Sequence, residues 1–196
     1  MAENKNIHSR KFLNKTVLTL IAIIFFESFT TSSNFNRNSE LMNALVSASV
    51  EELDLRLEHG MKDKILKTII EASRENNLDP LVVICVINIE SSFRIKAVSK
   101  KGAVGLMQVL PSVSRSLAVE IGRTGEFDLS DPHLNIFFGT YYLAKLINIF
   151  DDLNTAILAY NYGPTRVSNW LVSGEKIPKQ YVRKIKDCYT RVAVLK

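Results

Sequence analysis

Residues 79–90 read Asp-Pro-Leu-Val-Val-Ile-Cys-Val-Ile-Asn-Ile-Glu, and this stretch decides the fold. Its β-branched content would suit a strand, but Asp79 followed by Pro80 is a helix start: a carboxylate to cap the first free amides, then a ring pre-set for the first turn. The predicted helix over Leu81–Ile89 is apolar nearly all round, and such a helix belongs in the middle of a bundle. Working outward, Lys62–Asn76 shows a helical stripe of Ile65, Leu66, Ile69 and Ile70, and Met42, Val46, Val50, Leu53 and Leu57 form an earlier one that Gly60 is expected to stop. Beyond the central run, 93–105 holds two glycines and four basic residues and reads as a loop or short irregular lobe. Pro111–Glu120 reads as a short helix. Asp131-Pro132 repeats the capping signal and opens a long helix to about Phe150, with Leu134, Phe138, Tyr141 and Leu146 expected inside. Three more helices follow at about 152–161, 164–173 and 179–191, with Pro164 in a first turn and Gly174 as a stop. The fold class is all-α.

The 196 residues suit one compact domain with a short appendage, and 46% hydrophobic against 23% charged residues is a globular balance. Eight Gly, five Pro and two Cys leave collagen, low-complexity and disulfide-scaffold classes without support. Of the net charge of +5, residues 1–40 carry five basic against three acidic groups, so the rest of the chain is only mildly basic. No dense basic face for nucleic acid is visible, and nucleic acid is not an expected partner. His8, His59 and His133 are scattered and the cysteines stand far apart, so no metal is expected. Cys85 lies within the apolar run, where a buried free thiol is the expectation. Pairing with Cys188 is the alternative under oxidising conditions.

The first forty residues read as an address. Lys5, Arg10, Lys11 and Lys15 precede the apolar run Thr16–Phe26, the layout of a secretory signal. As a helix the run would reach roughly 16 Å, about half a hydrocarbon core. Residues 1–26 are therefore expected to be a signal peptide or signal anchor. Residues 27–40, nine of which are Ser, Thr or Asn, form a flexible tether, and 41–196 the folded domain. No cysteine directly follows the apolar stretch, which argues against a lipoprotein. Export to the periplasm or cell envelope follows, with membrane attachment only through an uncleaved N-terminus.

Glu90 ends the apolar run and opens a loop, where a poorly solvated carboxyl gains pKa toward that of a general acid. Around it the chain carries Glu90-Ser91-Ser92-Phe93, then Gly105-Leu106-Met107-Gln108, then Ala159-Tyr160-Asn161-Tyr162-Gly163-Pro164, then Tyr181-Val182. In this order and spacing they resemble the soluble lytic transglycosylases of the bacterial cell wall, over about residues 62–190. Asp131-Pro132, Asn135-Ile136 and Gly139 resemble that family's helix before the Ala-Tyr-Asn motif.

The resemblance implies a lysozyme-like catalytic domain with a substrate cleft, acting on peptidoglycan glycan strands without a cofactor. Glu90 would be the single acid/base that cleaves between N-acetylmuramic acid and N-acetylglucosamine and leaves a 1,6-anhydro end. Residues 91–119 contain no Asp or Glu, in agreement with a mechanism that needs no second carboxylate. Ser91, Gln108, Tyr160, Asn161 and Tyr181 match the family's substrate-binding positions. Tyr160 is expected to orient the carboxyl or an acetamido group, Gln108 to meet a sugar amide, and Ser91 either to bond near the carboxyl or to cap the helix. Phe93 and Tyr162 are possible groove floors, with Phe93 expected in the core and Met107 expected to pack. Arg94-Ile95, where the family carries Asn-Pro or Asp-Pro, and Tyr162, where it carries Ala, are departures that bear on loop shape. A hydrolytic muramidase on the same fold and a non-catalytic peptidoglycan-binding component are the competing readings. The chain's small size also admits an envelope-spanning secretion or assembly machine as partner.

Overall fold

The structure is a computed structural model that describes residues 46–48 and 59–193. The signal segment, the tether and most of the Met42–Leu57 stripe lie outside the described residues. Seven full helices follow in chain order: α1 (His59–Glu75), α2 (Pro80–Ser91), α3 (Pro111–Glu120), α4 (Pro132–Phe150), α5 (Leu153–Tyr162), α6 (Pro164–Ser173) and α7 (Gln180–Ala193). Among the described residues there is no strand, only isolated bridges from Val104 to Val98 and Val109. Gly60 is a correction to the sequence reading. It lies in the first turn of α1, where a glycine costs about 1 kcal/mol but breaks nothing.

The two Asp-Pro signals act as caps. The Asp79 carboxylate accepts from the Leu81 amide at 2.8 Å, and Asp131 accepts from the Leu134 amide at 2.8 Å. Every residue from Pro80 to Ile87 is buried, so α2 runs through the middle of the domain. It packs against α1 on one side and α7 on the other; α4 lies across α1 and α5, and α5 also touches α6 and α7. In α4, Phe138 and Leu146 are in the core, whereas Leu134 and Tyr141 are only half-buried because they flank its buried stripe. Gly174 closes α6 in the left-handed conformation, φ 69°.

The free-thiol expectation is overturned. Cys85 and Cys188 are joined, with Cα atoms 5.6 Å apart, inside the usual disulfide range. Cys85 is indeed buried in α2, but the apolar stripe of α7 faces it there and carries Cys188 to the same spot. Closing a loop of this length contributes about 4–5 kcal/mol in the chain-entropy account. Near the start of α2 the Tyr189 hydroxyl donates to Asp79 at 2.7 Å, a second link between the two helices.

Candidate active site

Glu90 stands in the last turn of α2, where that buried helix gives way to the 92–110 lobe. The exit is abrupt: Ser92 and Phe93 both take left-handed φ values, 50° and 59°, a conformation that costs each about 1 kcal/mol or more. Phe93 is buried, 2% exposed, as the core reading expected, and anchors the turn. Glu90's half-buried carboxyl is thereby left at the edge of the domain's interior rather than in open water.

Two side chains from other helices meet that carboxyl. The Tyr181 hydroxyl, from the first turn of α7, donates to Glu90 Oε1, and Asn161, near the end of α5, also acts on it. Burial raises the Glu90 pKa above the usual carboxylate value; the Tyr181 and Asn161 hydrogen bonds pull the other way without cancelling it. Tyr181 is held far above its ordinary pKa by its own burial, then by the Glu90 charge, and so stays a proton donor. A carboxyl with a raised pKa, bonded by a neutral phenol and an amide, holds its proton more readily than a free carboxyl does, which is the direction a general acid needs.

The remaining expected residues are differently engaged. The Tyr160 hydroxyl does not orient the carboxyl: it donates to the Met107 carbonyl at 2.8 Å, because α5 points it at the Gly-Leu-Met-Gln turn. It still feels Glu90, whose charge adds to burial in raising its pKa, and its ring packs on Tyr142 at 5.5 Å. Both amide hydrogens of Gln108 are used inside the lobe, on the Gly105 carbonyl at 2.9 Å and the Ala97 carbonyl at 3.1 Å. Only its amide oxygen is left to face a ligand. Ser91 is buried and donates back to the Ile87 carbonyl at 3.0 Å, the helix-terminal role rather than a bond to Glu90. Met107 is fully buried and packs against Gly139, where a Cβ would lie 2.5 Å from its sulfur. Tyr162 stacks edge-on against Trp170 at 5.3 Å, half-exposed.

Asn135 is the residue whose work the sequence did not reveal. From the first turn of α4 its side chain accepts from the Met107 amide at 2.7 Å and donates to the Val104 and Leu129 carbonyls at 2.8 and 2.9 Å. Gly105, φ 80°, lets it come so close: a Cβ there would fall 2.2 Å from Asn135 Nδ2. The motif Asn135-Ile136 was visible, but only packing shows that its amide holds the lobe.

The charged Glu90 is a burden on the fold, because a carboxyl with raised folded pKa gains stability from its proton and loses that stability as pH rises through the folded value. Glu90→Gln is therefore expected to melt above the parent chain at neutral pH, with the difference closing as pH falls into the ordinary carboxylate range. A melting difference independent of pH would refute the raised pKa. Tyr160→Phe is expected to leave the pH–activity profile in place and to destabilise by about 1–2 kcal/mol, since the Met107 carbonyl loses its partner. Tyr181→Phe should raise the Glu90 pKa further, because it removes a bond that lowers it. Urea titrations and pH profiles of both variants check the pair.

Comparison with known proteins bears on the same residues. The family described as Transglycosylase SLT domain matches residues 67–182, more than half of the chain and all of the site above. A transglycosylase of Enterobacteria phage PRD1 is 36% identical over 119 residues, 61% of this chain and 42% of that protein. The membrane-bound lytic murein transglycosylase C of Photorhabdus laumondii is 28% identical over 172 residues, 82% of this chain and 48% of that protein. The chain thus spans less than half the length of either. Among solved structures, the 70 kDa soluble lytic transglycosylase of Escherichia coli superposes with a TM-score of 0.59 at 22% identity, over 91% of this chain and 30% of that one. That likeness establishes the lysozyme-like helical fold.

Proposed function

The chain belongs to the transglycosylase SLT family, and from that premise we propose that it is an exported lytic transglycosylase of peptidoglycan with Glu90 as its one general acid/base. The observation that carries the reading is the desolvated Glu90 carboxyl, held by Tyr181 and Asn161. Both groups are neutral hydrogen-bond donors, and neither is the second carboxylate that a retaining hydrolase uses as nucleophile.

Protonated Glu90 gives its proton to the oxygen linking N-acetylmuramic acid to N-acetylglucosamine. The C1–oxygen bond breaks, its electron pair leaves with the N-acetylglucosamine 4-oxygen, and the muramic acetamido oxygen supports the cation forming at C1. The Glu90 carboxylate then takes the proton of the muramic 6-hydroxyl as that oxygen closes on C1. The acid returns to its starting state, no water is consumed, and the glycan ends in a 1,6-anhydro ring. Tyr181 steadies the carboxyl in both protonation states. The oxygen of Gln108 is free to accept from an acetamido N–H, and the half-exposed Tyr162 offers an apolar floor to a sugar ring.

Residues 1–26 as a signal or anchor and 27–40 as a tether would place the domain in the periplasm or envelope, with an envelope-spanning machine as a further partner. No described helix is long and apolar enough to cross a membrane. The deciding experiment is digestion of purified peptidoglycan by the full chain, with mass spectrometry of the released muropeptides. Anhydro ends, one water lighter than reducing ends, are the expected products. Reducing ends would make the protein a hydrolytic muramidase, and no release would overturn the enzymatic reading.

A further inference from the structure

α2 and α7 are linked at three levels. Tyr189 bonds Asp79 at 2.7 Å near the start of α2, Cys188 is bonded to Cys85 in its middle, and Tyr181 bonds Glu90 at its end. The two helices differ in how they are held: α7 buries one face, from Tyr181 to Val192, whereas α2 is buried all round. α2 is buried from Pro80 to Ile87 and cannot shift without opening the core. α7 is the last described helix, lies against α2 and α5, and turns Arg183, Lys184, Asp187 and Arg191 to solvent. Of the two partners in the Glu90–Tyr181 contact, Tyr181 is the one that can leave, and the covalent bond two turns along its own helix opposes that.

We propose that the Cys85–Cys188 bond is a positioning device: it clamps α7 so that Tyr181 stays on Glu90, and the enzyme reaches full activity only where the two thiols have been oxidised. The inference rests on the reading of Glu90 as the acid/base. Formation of the bond removes two protons and two electrons from the thiols, which an external disulfide takes up as it becomes a dithiol. Both cysteines are fully buried, 0% exposed, so the exchange occurs while α7 is undocked and not on the closed domain. A chain still in a reducing compartment would then fold around α2 with its carboxyl incompletely held, and would become competent after export.

The groups facing Glu90 are Tyr181 from α7 and Asn161 and Tyr160 from α5. From the lobe, Arg94 directs its Nε to the Ser91 carbonyl at 3.0 Å. Only Tyr181 among them lies on the helix that carries Cys188.

The test compares the oxidised full chain with Cys85→Ala/Cys188→Ala, each with and without Tyr181→Phe, at a temperature where all four retain their helical circular dichroism. Loss of a hydrogen bond to a charged group predicts that kcat of the cysteine-free chain falls about tenfold with KM little changed. Its Glu90 pKa should rise, in the same direction as for Tyr181→Phe. Adding Tyr181→Phe to the cysteine-free chain should then cost little more, because the two changes remove one interaction. A bond that merely stabilises the fold would lower the melting temperature and leave kcat and the Glu90 pKa where they were, and that result overturns the proposal. So do fully additive effects, or a cysteine-free chain that does not fold at all, since the bond would then hold the domain and not Tyr181. If the oxidised parent itself releases no muropeptides, the acid/base reading fails instead. The coupling is still read from the Glu90 carboxyl titration followed by carbon-13 NMR in the same four chains.

Discussion

Glu90→Gln is expected to lower the release of anhydromuropeptides by about a thousandfold or more while the chain stays folded and still sediments with peptidoglycan. A single acid/base group typically contributes a factor of about 10²–10⁴, and here one carboxyl would serve both proton transfers, so its loss falls on both. Glutamine keeps the shape of the side chain and an oxygen to accept from Tyr181, so the geometry around α2 and α7 should survive. What it lacks is a proton acidic enough for the glycosidic oxygen and a basic site for the 6-hydroxyl. The higher melting temperature expected of the same variant at neutral pH makes the result unambiguous: a chain that is more stable, binds the wall and does not cleave has lost chemistry and not structure. Turnover within a factor of a few of the parent would mean that the acid lies elsewhere and that Glu90 is only a buried helix end.

Much of the architecture was legible because the decisive signals are local. Asp79-Pro80 and Asp131-Pro132 set helix starts within a few residues, and Gly174 set a stop, since a cap needs only its own turn of backbone. Gly60 misled for the same reason: a glycine read alone says nothing of whether the next turn can absorb it. What depended on two distant helices was not legible. The Cys85–Cys188 bond joins positions 103 residues apart, and only the docking of α7 on α2 brings them together. The tyrosines show the limit at the site itself. Tyr160 and Tyr181 both stood out by motif, but which hydroxyl reaches Glu90 is decided by how α7 packs on α2 and on α5. Tyr160, expected to orient the carboxyl or an acetamido group, donates to the Met107 carbonyl, and Tyr181 is the one that donates to Glu90.

The lobe has its own single point of failure, and Asn135→Ala is the substitution expected to expose it. Asn135 is 1% exposed and satisfies three main-chain groups at once, the Met107 amide and the Val104 and Leu129 carbonyls. Alanine leaves the Met107 amide and the Leu129 carbonyl without a partner in a place water reaches poorly, whereas the Val104 carbonyl keeps the Val109 amide at 3.0 Å. At about 1–3 kcal/mol for each buried group left unsatisfied, with some relief from relaxation, the loss should come to about 3–5 kcal/mol. That is a fall in melting temperature of roughly 10 °C. The damage should not stay structural, because the turn that Asn135 holds also carries Gln108 and receives the Tyr160 hydroxyl. Wall cleavage should therefore fall even at temperatures where the helices persist, whereas the Glu90 pKa, set from α5 and α7, should not move. Asn135→Asp separates hydrogen bonding from cavity formation, since it keeps the volume but turns a double donor into a carboxylate aimed at two carbonyls. A folded protein with a raised aspartate pKa at this position loses stability as pH rises through that value. Asn135→Asp should thus approach the parent in acid and fall below Asn135→Ala at neutral pH. If instead the alanine variant melts within a degree of the parent, the lobe is held by its own turn hydrogen bonds, and the close approach at Gly105 serves some other contact.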